Sequence, residues 1–149
     1  MSLTLLIIGF FIADLLLAWL LLWAILRAGW RPLTIRYPAT EPAPDAVRRN
    51  FQSFRLGIIN LGFCIHVAVD EHYLHLSPAR ILRWCGTGAT SIPWSAIEPG
   101  GPVMGGKWMK SSIDGRTLLG PTWCLSLANP GTTGDDDEPA AALGADDEA

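Results

Sequence analysis

Hydrophobic positions along this chain follow two different periods in two separate blocks. Residues 3–26, LTLLIIGFFIADLLLAWLLLWAIL, are apolar on every side, interrupted only by Thr4, Gly9 and Asp14. At 1.5 Å per residue a helix of that length reaches roughly 36 Å, enough to cross a hydrocarbon layer of ~30 Å with some tilt. A helix on the surface of a soluble core would carry a polar face. A cleaved signal peptide would have a basic leader, a shorter apolar run and a small-x-small site. The block is expected to be a retained transmembrane helix.

From Ile59 the period changes to two. Ile59, Leu61, Phe63, Ile65, Val67 and Val69 fall on one face, and Asn60, Gly62, Cys64, His66 and Ala68 on the other. This is the signature of a half-buried strand. The segment EHYLHL alternates in the same way, with Leu74 and Leu76 inward, and Asp70 and Glu71 lie between as turn residues. A hairpin follows. Further on, Gly86 and Gly88 mark a break, SIPW reads as a short strand that Pro93 confines to an edge or a terminus, and Asp114-Gly115 reads as a primed hairpin turn. TWCLSLA completes the set as another strand. The fold class expected is one N-terminal transmembrane α-helix plus a small, mostly antiparallel β domain. Its boundaries are residues 1–29 for the anchor, 30–50 for a juxtamembrane segment and proline-rich linker, 51–129 for the β domain and 130–149 for a disordered acidic tail.

Charge refines this division. The net −3 of the whole chain hides two opposed parts. Residues 27–116 carry all 11 bases against six acids, whereas the last stretch holds seven acids and no base. Arg27, Arg31 and Arg36 follow the apolar block while only Met1 and Ser2 precede it. The positive-inside rule then puts the amino terminus outside and the β domain in the cytoplasm, anchored to an inner membrane. Cys64, Cys85 and Cys124 form no C-x-x-C pair and read as ordinary thiols in a reducing compartment.

YLHLSPARILR, a glycine break and then SIPWSAIE resemble the first half of bacterial pleckstrin-homology-like or GRAM-like domains, in membrane-anchored proteins of similar layout. The similarity covers about residues 51–98 and rests on Tyr73, Leu74, Leu76, Ile92, Pro93, Trp94 and Ile97. It implies a curled sheet or partial barrel and a binding or scaffolding role without catalytic residues.

All three histidines lie in CIHVAVDEHYLHL, residues 64–76. Pairing Val67 with Leu74 sets His66 across from His75, with Cys64 two residues away on the same face, which would be a low-coordinate metal site at Cys64, His66 and His75. A turn longer by two residues sets His66 across from Ser77 instead. The ordinary hairpin is the expected reading. No phosphate-binding loop, dinucleotide fingerprint or H-E-x-x-H is present, so no cofactor, small-molecule substrate or enzymatic activity is expected. KWMK at 107–110 is too short to argue for nucleic acid. Asp14 near the middle of the apolar block is costly in lipid and seeks a partner. With Gly9 and Ala13 beside it, a contact with another membrane helix is expected, either a membrane-protein partner or a second copy. The alternative is a module that senses anionic lipid through Arg80, Arg83, Lys107, Lys110 and Arg116.

Overall fold

The computed structural model describes residues 2–128. The acidic tail expected over 130–149 lies outside them. Helix α1 runs Leu3–Arg36, and its apolar part is long enough to cross a membrane, with none of that window buried. The helix continues beyond the anchor boundary at residue 29, through Pro32, and ends at Tyr37, whose N–H caps Leu33 O. Pro32 costs an interior helix hydrogen bond. Packing offsets that cost: Leu26, Trp30 and Leu33, spaced by four and three, form one stripe buried in the core of the β domain.

Eight strands follow: β1 Val47–Leu56, β2 Ile59–Val69, β3 Tyr73–Pro78, β4 Thr90–Pro93, β5 Ile97–Glu98, β6 Pro102–Val103, β7 Trp108–Ile113 and β8 Arg116–Pro121. They form one antiparallel sheet in the order β4-β3-β2-β1-β8-β7-β5, with β6 on β7. The sheet curls into a half-barrel around Phe54, Ile65, Leu74, Leu76, Ile92, Ile113 and Leu118. Pro93 closes the edge strand β4, as the sequence predicts. Asp114 and Gly115 both take positive φ at the β7–β8 turn, as a primed hairpin requires. Short helix α2 spans Arg80–Arg83 and α3 spans Thr122–Leu125.

Four expectations are corrected. The first concerns Phe63, which is 75% exposed rather than buried. The phase of β2 is otherwise as read, since Ile59, Leu61, Ile65, Val67 and Val69 are all buried. The pairing of β1 with β2 slips at Arg49–Phe54, and Phe51 and Phe63 both take positive φ there. A bulge turns a side chain out of the alternation, and Phe63 is the one ejected. Its N–H is satisfied by Ser53 Oγ at 2.9 Å.

The second concerns the β2–β3 register, in which Val67 pairs with Leu76 and His66 with Ser77. The longer turn wins because Asp70 accepts the N–H groups of His72 (2.9 Å) and Tyr73 (2.7 Å) on one oxygen, an Asx-type closure. The third concerns TWCLSLA, where a helical turn replaces the expected strand. Cys124 and Leu125, adjacent in sequence, both join the same core from this turn, whereas a strand would send them to opposite faces. The fourth is the start of the folded part. Strand β1 begins at Val47, four residues before Phe51, and Pro38, Thr40 and Ala43 are bonded to the sheet and its β2–β3 turn.

Candidate functional site

The histidine stretch builds a cleft on the outer face of the sheet, with polar side chains along an otherwise apolar lining. Registers across four strands place Arg48, Ala68, His75 and Ser91 in one row. Ala68 is the small member, and the gap above it becomes a cleft of about 270 Å³ bordered by Arg48, Asn50, His66, His75, Ser77 and Ser91. Ala39, Thr40 and Pro42 form its far wall.

At the wall end of the cleft, three side chains form a hydrogen-bonded chain. His75 Nδ1 lies 2.8 Å from Ser91 Oγ, and His75 Nε2 lies 2.9 Å from Asp70 Oδ2. The same Asp70 oxygen accepts Ala43 N–H at 3.3 Å, and Ser91 Oγ accepts Thr40 N–H at 2.9 Å. Burial by itself would raise the Asp70 carboxyl. The hydrogen bonds from His75 and from the N–H groups of His72, Tyr73 and Ala43 together outweigh it and hold the carboxyl well below the usual carboxylate range. The atoms are those of a serine–histidine–carboxylate relay, but their surroundings assign another task. Ser91 is 4% exposed and its oxygen already holds the Thr40 N–H, so the hydroxyl binds the linker instead of facing solvent. A bridge between Pro38 and Thr90 and the bond from Thr90 Oγ1 to Tyr37 O (2.6 Å) continue the strap downward. This cluster fastens residues 37–43 to the sheet.

Sequence reading found the histidines but not their partners. Ser91 is 16 residues from His75 and carries no local signal. The metal candidates Cys64, His66 and His75 are separated by the register. His66 bonds to Asn50 Oδ1 at 3.1 Å, His75 is taken by Ser91 and Asp70, and Cys64 lies on β2 next to the bulge. No group of three or more His, Cys, Asp or Glu side chains suited to a metal converges among the described residues. Burial pushes the Cys124 thiol up to about 12, which leaves it unreactive.

The second site is the junction between α1 and the sheet. Gly29 lies so close to the sheet that an added Cβ would run into the Ile59 side chain. Trp30 Nε1 donates to Gly88 O at 2.7 Å, Arg116 donates to Gly29 O at 3.1 Å, and Arg36 pairs with Asp114 at 3.2 Å. Of the five bases singled out for lipid, Arg116 therefore touches the helix. Arg80 and Arg83 lie on α2, where Arg83 bonds Pro78 O and Ser77 Oγ. Lys110 and Lys107 sit further along the β7–β8 hairpin, away from the Arg116 end. Gly9, Ala13 and Asp14 are all exposed on the free part of α1.

No protein-family model, no curated protein and no solved structure matches the chain.

Proposed function

We propose that this chain is a non-enzymatic, single-pass protein of the cytoplasmic membrane that holds a small binding or scaffold domain, of pleckstrin-homology-like character, rigidly at the cytoplasmic face. One observation carries the reading: the exposed apolar part of α1 passes without any linker into the buried stripe Leu26, Trp30 and Leu33. Residues 3–22 contribute no side chain to the core, and 20 residues of helix cover roughly 30 Å, the thickness of a hydrocarbon layer. The domain begins where the bilayer would end. The stripe also argues for retention of the helix, because cleavage beyond it would strip Trp30 from the core. Arg27, Arg31 and Arg36 at the domain end favour the cytoplasmic side. Association with a membrane protein or a second copy runs through the helix surface around Gly9, Ala13 and Asp14.

The test uses the full chain in cells. The protein should stay in the membrane pellet after alkaline extraction, at the full-length mass, with a reporter placed after Ala149 active in the cytoplasm. A soluble product shortened by the apolar block, or a reporter active only outside, would sink the reading.

A further inference from the structure

We propose that three apolar side chains at the helix end of the β domain, Ile58, Ile81 and Trp84, enter the interfacial layer of the same bilayer that α1 crosses, so that the domain has a fixed lipid-facing rim. The proposal rests on the single-pass reading of α1.

Contacts along α1 give the domain a direction. Gly29 meets Ile59, the first residue of β2. Trp30 and Thr34 meet Gly88. Beyond the helix, Pro38 pairs with Thr90, Thr40 with Ser91 and Ala43 with Asp70, at the far end of β2. The chain thus climbs the sheet from one end to the other. The low end holds the β1–β2 turn, and β3 runs back toward it and leads into α2. Ile58 borders a hollow shared with Ile25, Ala28 and Gly29. Gly86, two residues after Trp84, lies beside the Arg27 guanidinium. Both loops therefore flank α1 at the level where its free apolar length finishes.

What those loops display is unusual for a water-facing surface. Ile58 is 87% exposed, Trp84 83% and Ile81 64%. Ile81 and Trp84 are three residues apart on one helical turn, so they project together. Tryptophan with an apolar body and a polar N–H suits the headgroup boundary. Basic groups surround the set: Arg27 stacks on Trp23 at 4.9 Å, Arg80 is exposed on α2, and Arg116 is anchored at Gly29 O. Apolar side chains flanked by Arg27, Arg80 and Arg116, near the end of a membrane span, match an anionic bilayer surface. The occupant is lipid.

The experiment uses the full chain in vesicles of phosphatidylethanolamine and phosphatidylglycerol. Nitroxide labels are placed singly by Ile58→Cys, Trp84→Cys, Leu15→Cys and Glu71→Cys in a Cys64→Ser background, whose other two thiols are buried. Collision with oxygen is compared with collision with a water-soluble nickel chelate. Labels at 58 and 84 should show an oxygen preference severalfold above that at 71, with 15 higher still. In the label-free chain, brominated lipid should quench less emission from the Trp84→Phe variant than from the native chain. If 15 lies in lipid while 58 and 84 read like 71, the rim is aqueous and the proposal fails with the helix reading intact. If 15 itself reads as aqueous, the span is wrong and the rim falls with it. Spin–spin broadening at 84 without oxygen preference would put a second copy there and overturn the lipid assignment.

Discussion

Asp70 makes four hydrogen bonds with two oxygens, and that stoichiometry decides what a substitution does. Oδ1 takes His72 and Tyr73 N–H, and Oδ2 takes Ala43 N–H and His75. An amide offers one acceptor oxygen, so Asp70→Asn satisfies one side alone. His75 can move its proton to the other nitrogen, but the Ala43 N–H has no such escape. The loss should be about 2–3 kcal/mol, since these bonds go to a charged group. The pH dependence follows in sign from the depressed carboxyl. The folded value lies below the unfolded one, so the contribution is complete above about pH 4 and fades as pH falls toward the folded value. Urea midpoints of the native chain in detergent should therefore fall on acidification below about pH 4, and the Asp70→Asn chain should fall less steeply there. Equal acid slopes would show that the strap does not titrate through Asp70. The alternation of β2 was readable because burial imposes it, and seven of the eight inward residues named for the hairpin are inward, all but Phe63. Phe63 was not, because a positive φ is set by the bulge it shares with β1 and leaves no mark in a period-two pattern. Ser91 as a partner of His75 was equally invisible: it depends on the register of β3 on β4, which is not local.

Element boundaries show the same divide between local and tertiary causes. Pro38, Pro42 and Pro44 within seven residues favour extended chain, and a linker was expected from residue 30, whereas the helix runs on through Pro32 to Arg36. In the fold, Gly29 is an approach point to Ile59, and the buried Trp30 and Leu33 hold the helix through the proline. Helix propensity is a weak prior against such packing. Strand β1 went unread because Arg48, Arg49 and Asn50 open it without an apolar face, although Arg49 finds a use over the Trp123 ring at 4.5 Å. If α1 and the sheet are one cooperative unit, Trp30→Ala should cost about 3–5 kcal/mol, the range for a buried aromatic, and should also release Gly88. Trp19→Ala removes an equally large ring from the exposed part of α1 and should leave unfolding of the β domain unchanged. Near-ultraviolet dichroism on heating in detergent separates the two. Matching melting curves for Trp30→Ala and the native chain would mean that the helix end rests on the domain without stabilising it.

At the scale of the whole molecule, the proposed membrane span carries one feature that lipid would not accommodate without cost. Asp14 is exposed on α1 and lies near the middle of its free apolar length. A carboxyl there costs about 2.5–3.5 kcal/mol on insertion scales, and hydrocarbon offers it no hydrogen bond. The rigid junction matters here. A domain clamped to the helix through Trp30, Arg116 and Arg36 cannot swivel freely, so the face of α1 that carries Asp14 also fixes how two domains, or a domain and its partner, stand to each other. Should Asp14 contact another helix, Asp14→Leu leaves insertion intact and weakens association by roughly 1–2 kcal/mol, about tenfold. Asp14→Asn retains part of the effect, because an amide still bonds across a helix pair. Crosslinking in native membranes reads both variants against the native chain. Crosslinks at native yield from the Leu variant would reduce α1 to an anchor. Asp14 would then have no contact in another helix, and the orientation of the β domain would depend on the bilayer and not on a partner.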